Sequence, residues 1–325
     1  MNDNAAGVLL GVACGDALGR PVEFQQPASI QRRHGRVTHM LADGTHGQPA
    51  GTITDDTEMA LCIARSLVET DRLDPSDITT RFVSWYESGP FDIGLLTSTV
   101  LSQLRDSGSW YEVGVTEWKR RSEGSNAGNG SVMRCAPYGI AFADESDTLV
   151  TVSRVSSAIT HADPRCQWGC VILNATIAGI LTDHDRPLRC AIELAEDAPT
   201  ELRNACEAIL TVQRGEQSHA DLELVNSGYV VSTLQAGLYH GLTASTAENA
   251  IVDAVMMGGD TDTIAAVTGA IAGARFGETA LPDRWLQAID ESIELKELAN
   301  QLMTSNISLP EPVKSRVATG TFDLK

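Results

Sequence analysis

Gly258-Gly259-Asp260-Thr261-Asp262-Thr263 runs directly into a small apolar segment, Ile264 to Phe276, and the fold of the chain follows from reading that junction. Met256 and Met257 precede it, and Ile264, Ala265, Val267, Ala270, Ile271 and Ala274 follow in a helix-like pattern. The glycine pair supplies the tight backbone that a cluster of oxygens needs, and the carboxylates fall near a helix N-terminus, where the macrodipole favours negative charge. Helix capping by Asp260 or Asp262 is the plain reading of this junction, and a metal site is the other. A second acidic junction far earlier in the chain favours the metal site.

That junction is Thr54-Asp55-Asp56-Thr57-Glu58, again at a loop-to-helix boundary with hydroxyls beside carboxylates. Its helix carries Met59, Ala60, Ile63, Ala64, Leu67 and Val68 at the 3.6-residue period. A capping box, with Asp55 as N-cap and Glu58 three residues on, is compatible with ligation. Four carboxylates brought together repel, and some take up protons instead of staying charged. Two divalent cations would cancel that charge. Carboxylate and hydroxyl oxygens suit Mg²⁺, Mn²⁺ or Ca²⁺ better than zinc.

The remaining helical patterns are 5–19, 74–87, 93–104, 149–159, 164–180, 191–213 and 229–241. Segments 21–51 and 108–130 read as loops, the second ending in Gly124-Ser125-Asn126-Ala127-Gly128-Asn129-Gly130. No run alternates with period two, so the expected fold is all-α, a compact single domain over 1–325. The segment 278–325 is its C-terminal helical, peripheral part.

Composition narrows the function. The 325 residues hold 43 Asp and Glu against 24 Lys and Arg, a formal charge of −19, and Lys occurs only at 119, 296, 314 and 325. That leaves no excess of cations for general nucleic-acid binding. Seven cysteines without a CxxC pair read as reduced, buried thiols; a zinc site at Cys166 and Cys170 would want closer ligands than His161 alone. The run Val8 to Cys14 lacks a basic flank and is short for an export signal, and no segment reads as a membrane span. A cytoplasmic protein is expected.

Six motifs in order then resemble the ADP-ribosylglycohydrolase family. They are Gly15-Asp16-Ala17-Leu18-Gly19 with Glu23, Gly51-Thr52-Ile53-Thr54-Asp55-Asp56-Thr57, Asp92-Ile93-Gly94, Gly128-Asn129-Gly130-Ser131-Val132-Met133-Arg134, Thr160-His161-Ala162-Asp163 and Gly258 to Thr263. Together they span about residues 6–277; Ile53 departs from the aromatic residue that many relatives carry there. The resemblance implies an all-helical fold with two Mg²⁺ or Mn²⁺ ions in a cleft. Thr54, Asp55 and Asp56 would hold them from one side, and Asp260, Asp262 and Thr263 from the other.

It also implies hydrolysis at the anomeric carbon of ADP-ribose linked to an acceptor, through an oxocarbenium-like state in which a metal pair can bind the ribose diol and polarise water. Glu23, Asp92 and Asp56 are the candidate catalytic carboxylates. Glu23 is a metal-site carboxylate and a candidate base, Asp92 a group on the acceptor side, and the division of labour between these two stays open. Asn129, Gly130, Ser131, Met133 and His161 would contact the ADP-ribose, the loop offering backbone N–H groups as phosphate-cradling loops do. Local readings compete: His161 as a helix-entry residue bonded to backbone, Met133 as core, Arg134 paired with a structural carboxylate. The other histidines, 34, 39, 46, 184, 219 and 240, receive no role.

ADP-ribosyl-arginine on protein is the first-choice substrate. Serine-linked ADP-ribose, O-acetyl-ADP-ribose, modified nucleic acid or a small molecule would use the same core, with the loops at 25–50 and 105–127 deciding. A non-catalytic ADP-ribose-binding or structural relative and a two-metal phosphohydrolase are the readings from other classes.

Overall fold

Gly7, Gly11, Gly15 and Gly19 recur every four residues along the first helix and so form one bare stripe down its side. A computed structural model of the chain, which describes residues 2–107, 109–310 and 313, shows what the stripe meets. Gly7 lies against Gly273, Gly11 against Gly269, Gly15 against Ala265 and Gly19 against Thr261. The paired numbers run in opposite directions, so the two helices are antiparallel. A β-carbon on any of the four glycines would overlap the facing backbone. Backbone touches backbone here.

Sixteen α-helices are described: α1 (Asn2–Gly19), α2 (Pro27–His34), α3 (Asp55–Thr70), α4 (Pro75–Glu87), α5 (Leu95–Ser107), α6 (Val113–Arg120), α7 (Ala136–Ala141) and α8 (Ser146–Ala158). They continue as α9 (Pro164–Leu181), α10 (Pro187–Leu194), α11 (Thr200–Gln213), α12 (Val230–Thr243), α13 (Ala247–Val255), α14 (Thr261–Phe276), α15 (Asp283–Leu286) and α16 (Ser292–Thr304). Among the described residues there is no β-strand, only three isolated bridges. The all-α expectation holds.

Helices α1 and α14 form the centre. Every residue from Ala5 to Gly19 and from Thr261 to Ala274 is buried, as a helix apolar all round must be. Helices α12 and α13 pack on α14, while α16 packs on α1 and α3. Helix α1 with the turn after it is long and apolar enough by length and composition to cross a membrane, contrary to the reading of the sequence, and its whole apolar window is buried inside the protein. The C-terminal part is helical as expected, but Leu295, Leu298, Ala299 and Leu302 of α16 are buried against the core. The tail beyond Pro310 lies outside the described residues except for the buried Val313.

Three local expectations change. Segment 21–51 contains α2, started by Pro27 in the first turn but burying only Ile30, so no apolar period announces it. Segment 108–130 contains α6. The single helix expected over 191–213 is two, because the chain breaks between Leu194 and Thr200 at a turn ending in Pro199.

Replacing Gly11 or Gly269 with Val should force α1 and α14 apart and destabilise the protein by about 3 kcal/mol, the upper range for overpacking. Gly124→Ala, where nothing approaches the added carbon, should leave the thermal midpoint unchanged. Calorimetric melting of the three variants checks the contrast.

Candidate active site

The antiparallel pair brings the C-terminal end of α1 beside the N-terminal end of α14, so the turn after α1 delivers Glu23 next to Asp260 and Asp262. One oxygen of each of these three carboxylates lies within 4.8 Å of the others. The N-terminus of α3 arrives from a third direction, tied down by Asp16. This wholly buried carboxylate accepts from Thr54 N (3.0 Å), Thr54 Oγ1 (2.9 Å), Thr57 N (3.2 Å) and the Thr57 hydroxyl. Burial pushes Asp16 up to about 6 despite those donors, which pull the other way. The sequence reading quoted Asp16 within a motif without giving it a task. Its task is to position Thr54, Asp55 and Asp56.

Thr54 is accordingly the N-cap of α3, but its hydroxyl serves Asp16 and, at 3.4 Å, Asp56, not the helix. The capping box does not form: Glu58 accepts from Trp85 Nε1 at 2.6 Å instead. Asp260 is likewise the N-cap of α14 without a capping bond from its side chain. Its backbone N–H donates to Asn226 Oδ1 (2.9 Å), and its carboxylate accepts from Asn129 Nδ2 (2.8 Å). Thr263 Oγ1 lies 3.4 Å from Asp56 Oδ2. The carboxylates at both junctions are therefore free for something other than capping.

They share one cavity of about 400 Å³. Glu23, Asp55, Asp56, Asp92, Asp260 and Asp262 line it with Thr263, Gly128, Asn129, Gly130, Met133 and His161, and among the described residues no Lys or Arg is in its walls. Thr54 and Ser131 do not line it. The Ser131 side chain turns into the core, where its hydroxyl accepts from Ser157 Oγ at 2.9 Å. Its backbone N–H and that of Gly130 form no hydrogen bond among the described residues.

Burial, reinforced by mutual repulsion, raises the carboxyls of Asp55, Asp56 and Asp262 well above their ordinary range and pushes Glu23 up to about 9. Asp92 is raised too, chiefly by burial. The helix N-termini at Asp55, Asp56 and Asp262 offset only about 0.3–1 kcal/mol per carboxylate, too little to prevent that rise. Helix dipoles lose that balance. Asp56 Oδ1 is moreover buried without a hydrogen-bond partner. An orphaned oxygen among crowded carboxylates and hydroxyls is what hard divalent cations complete, so the donor set fits such ions.

His161 lies beneath the glycine loop. A β-carbon on Gly130 would run into its ring, and one on Gly128 would touch it. Burial first, then Arg134 and Arg121, depresses its imidazole to about 3, so it is neutral. The fully buried Arg134 donates to Thr160 Oγ1 (2.7 Å), which lies 2.8 Å from His161 Nδ1. With Arg134 donating to its oxygen, the Thr160 hydroxyl keeps its own proton available for Nδ1, and in that tautomer the His161 Nε2 carries a hydrogen on the side facing the loop. Contrary to the local reading, which paired Arg134 with a structural carboxylate, Arg134 forms no ion pair among the described residues; it stacks on Phe82 with its charge centre 4.4 Å from the ring. His161 bonds the Thr160 side chain, while its backbone N–H closes a turn on Ser157 O.

The residue that sequence reasoning passed over is His46. Its Nε2 lies 2.6 Å from Glu23 Oε2 and 3.5 Å from Asp92 Oδ2, bridging the two carboxylates whose roles stayed open. The buried Arg20 holds that loop, donating to the carbonyls of Leu41, Asp43, Gln48, Pro49 and Thr52. A lone His in a polar loop carries no signal of this. Cys166 bonds the Gly128 carbonyl at 3.2 Å, and no cysteine belongs to a metal-competent group among the described residues.

A family model described as ADP-ribosylglycohydrolase matches residues 1–310. The chain belongs to that family. It is 31% identical, over 93% of its length and 95% of the relative's, to ADP-ribosyl-[dinitrogen reductase] glycohydrolase of Rhodospirillum rubrum. It is also 31% identical to ADP-ribosylarginine hydrolase Tri1 of Serratia proteamaculans, over 92% of this chain and 79% of that one. The solved ADP-ribosylglycohydrolase-related protein complex superposes with a TM-score of 0.77 at 30% identity, covering 94% of this chain and 98% of the other. Members of this family are enzymes, ADP-ribosyl glycohydrolases, and the all-helical fold is theirs.

With Glu23 protonated up to about 9 when folded and only to about 4.5 when unfolded, the native state binds more protons between those values. Stability without divalent cations should therefore fall as pH rises through that window. Melting in EDTA at pH 5 and pH 8 should show the drop, and MnCl₂ should raise the midpoint more at pH 8, where fewer protons compete. A midpoint indifferent to both would contradict this account of the cluster.

Proposed function

We propose that this enzyme hydrolyses the bond between ADP-ribose and an arginine side chain of a modified protein, and that it does so with two Mg²⁺ or Mn²⁺ ions. One observation supports this above the rest: six carboxylates share a cavity that, among the described residues, has no Lys or Arg in its walls. A diphosphate cannot be neutralised there by side chains, whereas a guanidinium acceptor is welcome. Asp55, Asp56, Asp260 and Asp262, with Thr263, would hold the ions, and Thr54, behind the cavity wall, would support Asp56 through its hydroxyl at 3.4 Å. When bound, such a pair supplies a Lewis-acid anchor for a sugar diol and a more acidic water.

The chain's own groups do the remainder. The N–H of Gly130 in the cavity wall, with the His161 Nε2–H, offers donors to phosphate oxygens. Met133 contributes an apolar wall. Glu23 and Asp92, bridged by His46, face the acceptor end; one takes a proton from water while the other orients or protonates the leaving group. The proton balance of hydrolysis needs both roles filled. Relatives named for arginine linkages favour that acceptor, and all six proposed metal-site residues are present, which favours an active enzyme over a structural relative.

ADP-ribosyl-arginine incubated with Mn²⁺ or Mg²⁺ should release free ADP-ribose, and EDTA should stop the release. Asp260→Asn with Asp262→Asn should lower turnover by more than about 100-fold, the scale of losing groups that stabilise developing charge. Inorganic phosphate as product would point to a phosphohydrolase. Release from serine-linked but not arginine-linked substrate would move the acceptor assignment.

A further inference from the structure

Between Glu23 and Asp43 the chain has no carboxylate, although it carries 43 in all. The same interval holds Arg32, Arg33, His34, Arg36 and His39, every one exposed. Arg36 is committed to Asp253 at 2.7 Å. Among the described residues neither Arg32 nor Arg33 forms an ion pair. Their place in the last turn of α2 suits the helix dipole, which contributes only about 0.3–1 kcal/mol and does not require neighbours free of acid.

This basic segment is joined to the catalytic cleft. Phe24 N–H donates to Gly259 O, and Gly259 N–H donates back to Gln25 O, so the chain enters α2 directly from the turn that carries Asp260. Arg33 and His34 line a hollow of about 380 Å³ whose opposite wall includes Gly44 and Thr45. The next residue in the chain is His46, which reaches Glu23 on the cleft side. The rim between them is apolar and open: Phe24 is 69% exposed and Leu95 78% exposed, and both line the cleft.

We infer that segment 24–42, through Arg32 and Arg33, is a docking strip for an acidic stretch of the ADP-ribosylated protein next to its modified residue. The inference rests on the hydrolase reading for its substrate. A chain of charge −19 with an acidic cleft repels an acidic partner on the whole, and screening at about 8 Å in physiological salt makes the local charge decisive. Nucleic acid fits less well. A duplex presents a charge about every 1.7 Å, and two uncommitted arginines, next to a third already neutralised by Asp253, cannot track it.

The test compares three substrates: ADP-ribosyl-arginine itself, and two synthetic peptides with the modified arginine flanked by Asp/Glu or by Lys. The acidic peptide should show a kcat/KM at least tenfold above the basic one at low salt, and 0.5 M NaCl should shrink that advantage. Arg32→Glu with Arg33→Glu should abolish it, Arg32→Gln with Arg33→Gln should reduce it, and both should leave ADP-ribosyl-arginine turnover within twofold. Equal turnover of the two peptides by the native enzyme would overturn the strip. Anisotropy of a fluorescein-labelled acidic peptide without ADP-ribose separates docking from chemistry: binding lost in the Glu variant, with no turnover of any substrate, keeps the strip and sinks the hydrolase reading. A single-stranded oligonucleotide of equal charge that outcompetes the acidic peptide would assign the strip to nucleic acid and overturn the inference.

Discussion

Backbone-to-backbone contact between α1 and α14 is the constraint from which the site follows. With glycine at four successive turns of one helix, backbone meets backbone along the seam, and its ends are pinned by Asn4 Nδ2 donating to Ala274 O (2.7 Å) and Thr261 Oγ1 donating to Gly19 O (2.8 Å). Dispersion over so close a surface is large, and it forbids sliding. Because the pair is antiparallel, whatever leaves the end of α1 must meet whatever enters α14. Glu23 meets Asp260 and Asp262 for that reason. A rigid pair at the centre also suits a cleft of carboxylates that would otherwise push one another apart.

Two further buried ionic groups hold the cleft's walls without facing it. Asp16 gathers the backbone and hydroxyls at the start of α3, and Arg20 gathers five carbonyls of the loop that carries His46. One acts only as acceptor and the other only as donor, four residues apart on the same stretch of chain. Burying either unpartnered would be strongly destabilising. Each is kept because the loop it fixes has no regular structure of its own. Both walls are thereby tied to the core, while Phe24 and Leu95 at the rim are exposed.

The cleft trades stability for chemistry. Raised carboxyls mean that the folded protein holds protons the unfolded chain would release, so the site works against the fold at neutral pH unless positive charge arrives. His161 shows the opposite arrangement. It is kept neutral by burial and cationic neighbours, and its orientation is set by Thr160 and Arg134. Sites that combine groups held away from their ordinary protonation state are those suited to acid–base work.

Much was legible before any fold was known. Apolar periodicity found most of the long helices, because burial of one face imposes that pattern locally. The two acidic junctions were legible because a glycine pair, hydroxyls and spaced carboxylates are informative at short range. Helices α2 and α6 were not, since each buries too few apolar residues to leave a period. Whether Asp55 and Asp260 cap their helices stayed open, because local spacing cannot show that Asp16 takes the Thr57 N–H and that Asn129 holds the Asp260 carboxylate. His46 was invisible for the same reason: its partners, Glu23 and Asp92, lie 23 and 46 residues away in sequence. The sequence by itself determined the helical class, the acidic junctions and the family. Only the tertiary structure decided which carboxylates share a cavity, which serve as struts and which histidine joins them, because hydrogen-bond partners are chosen by proximity in space.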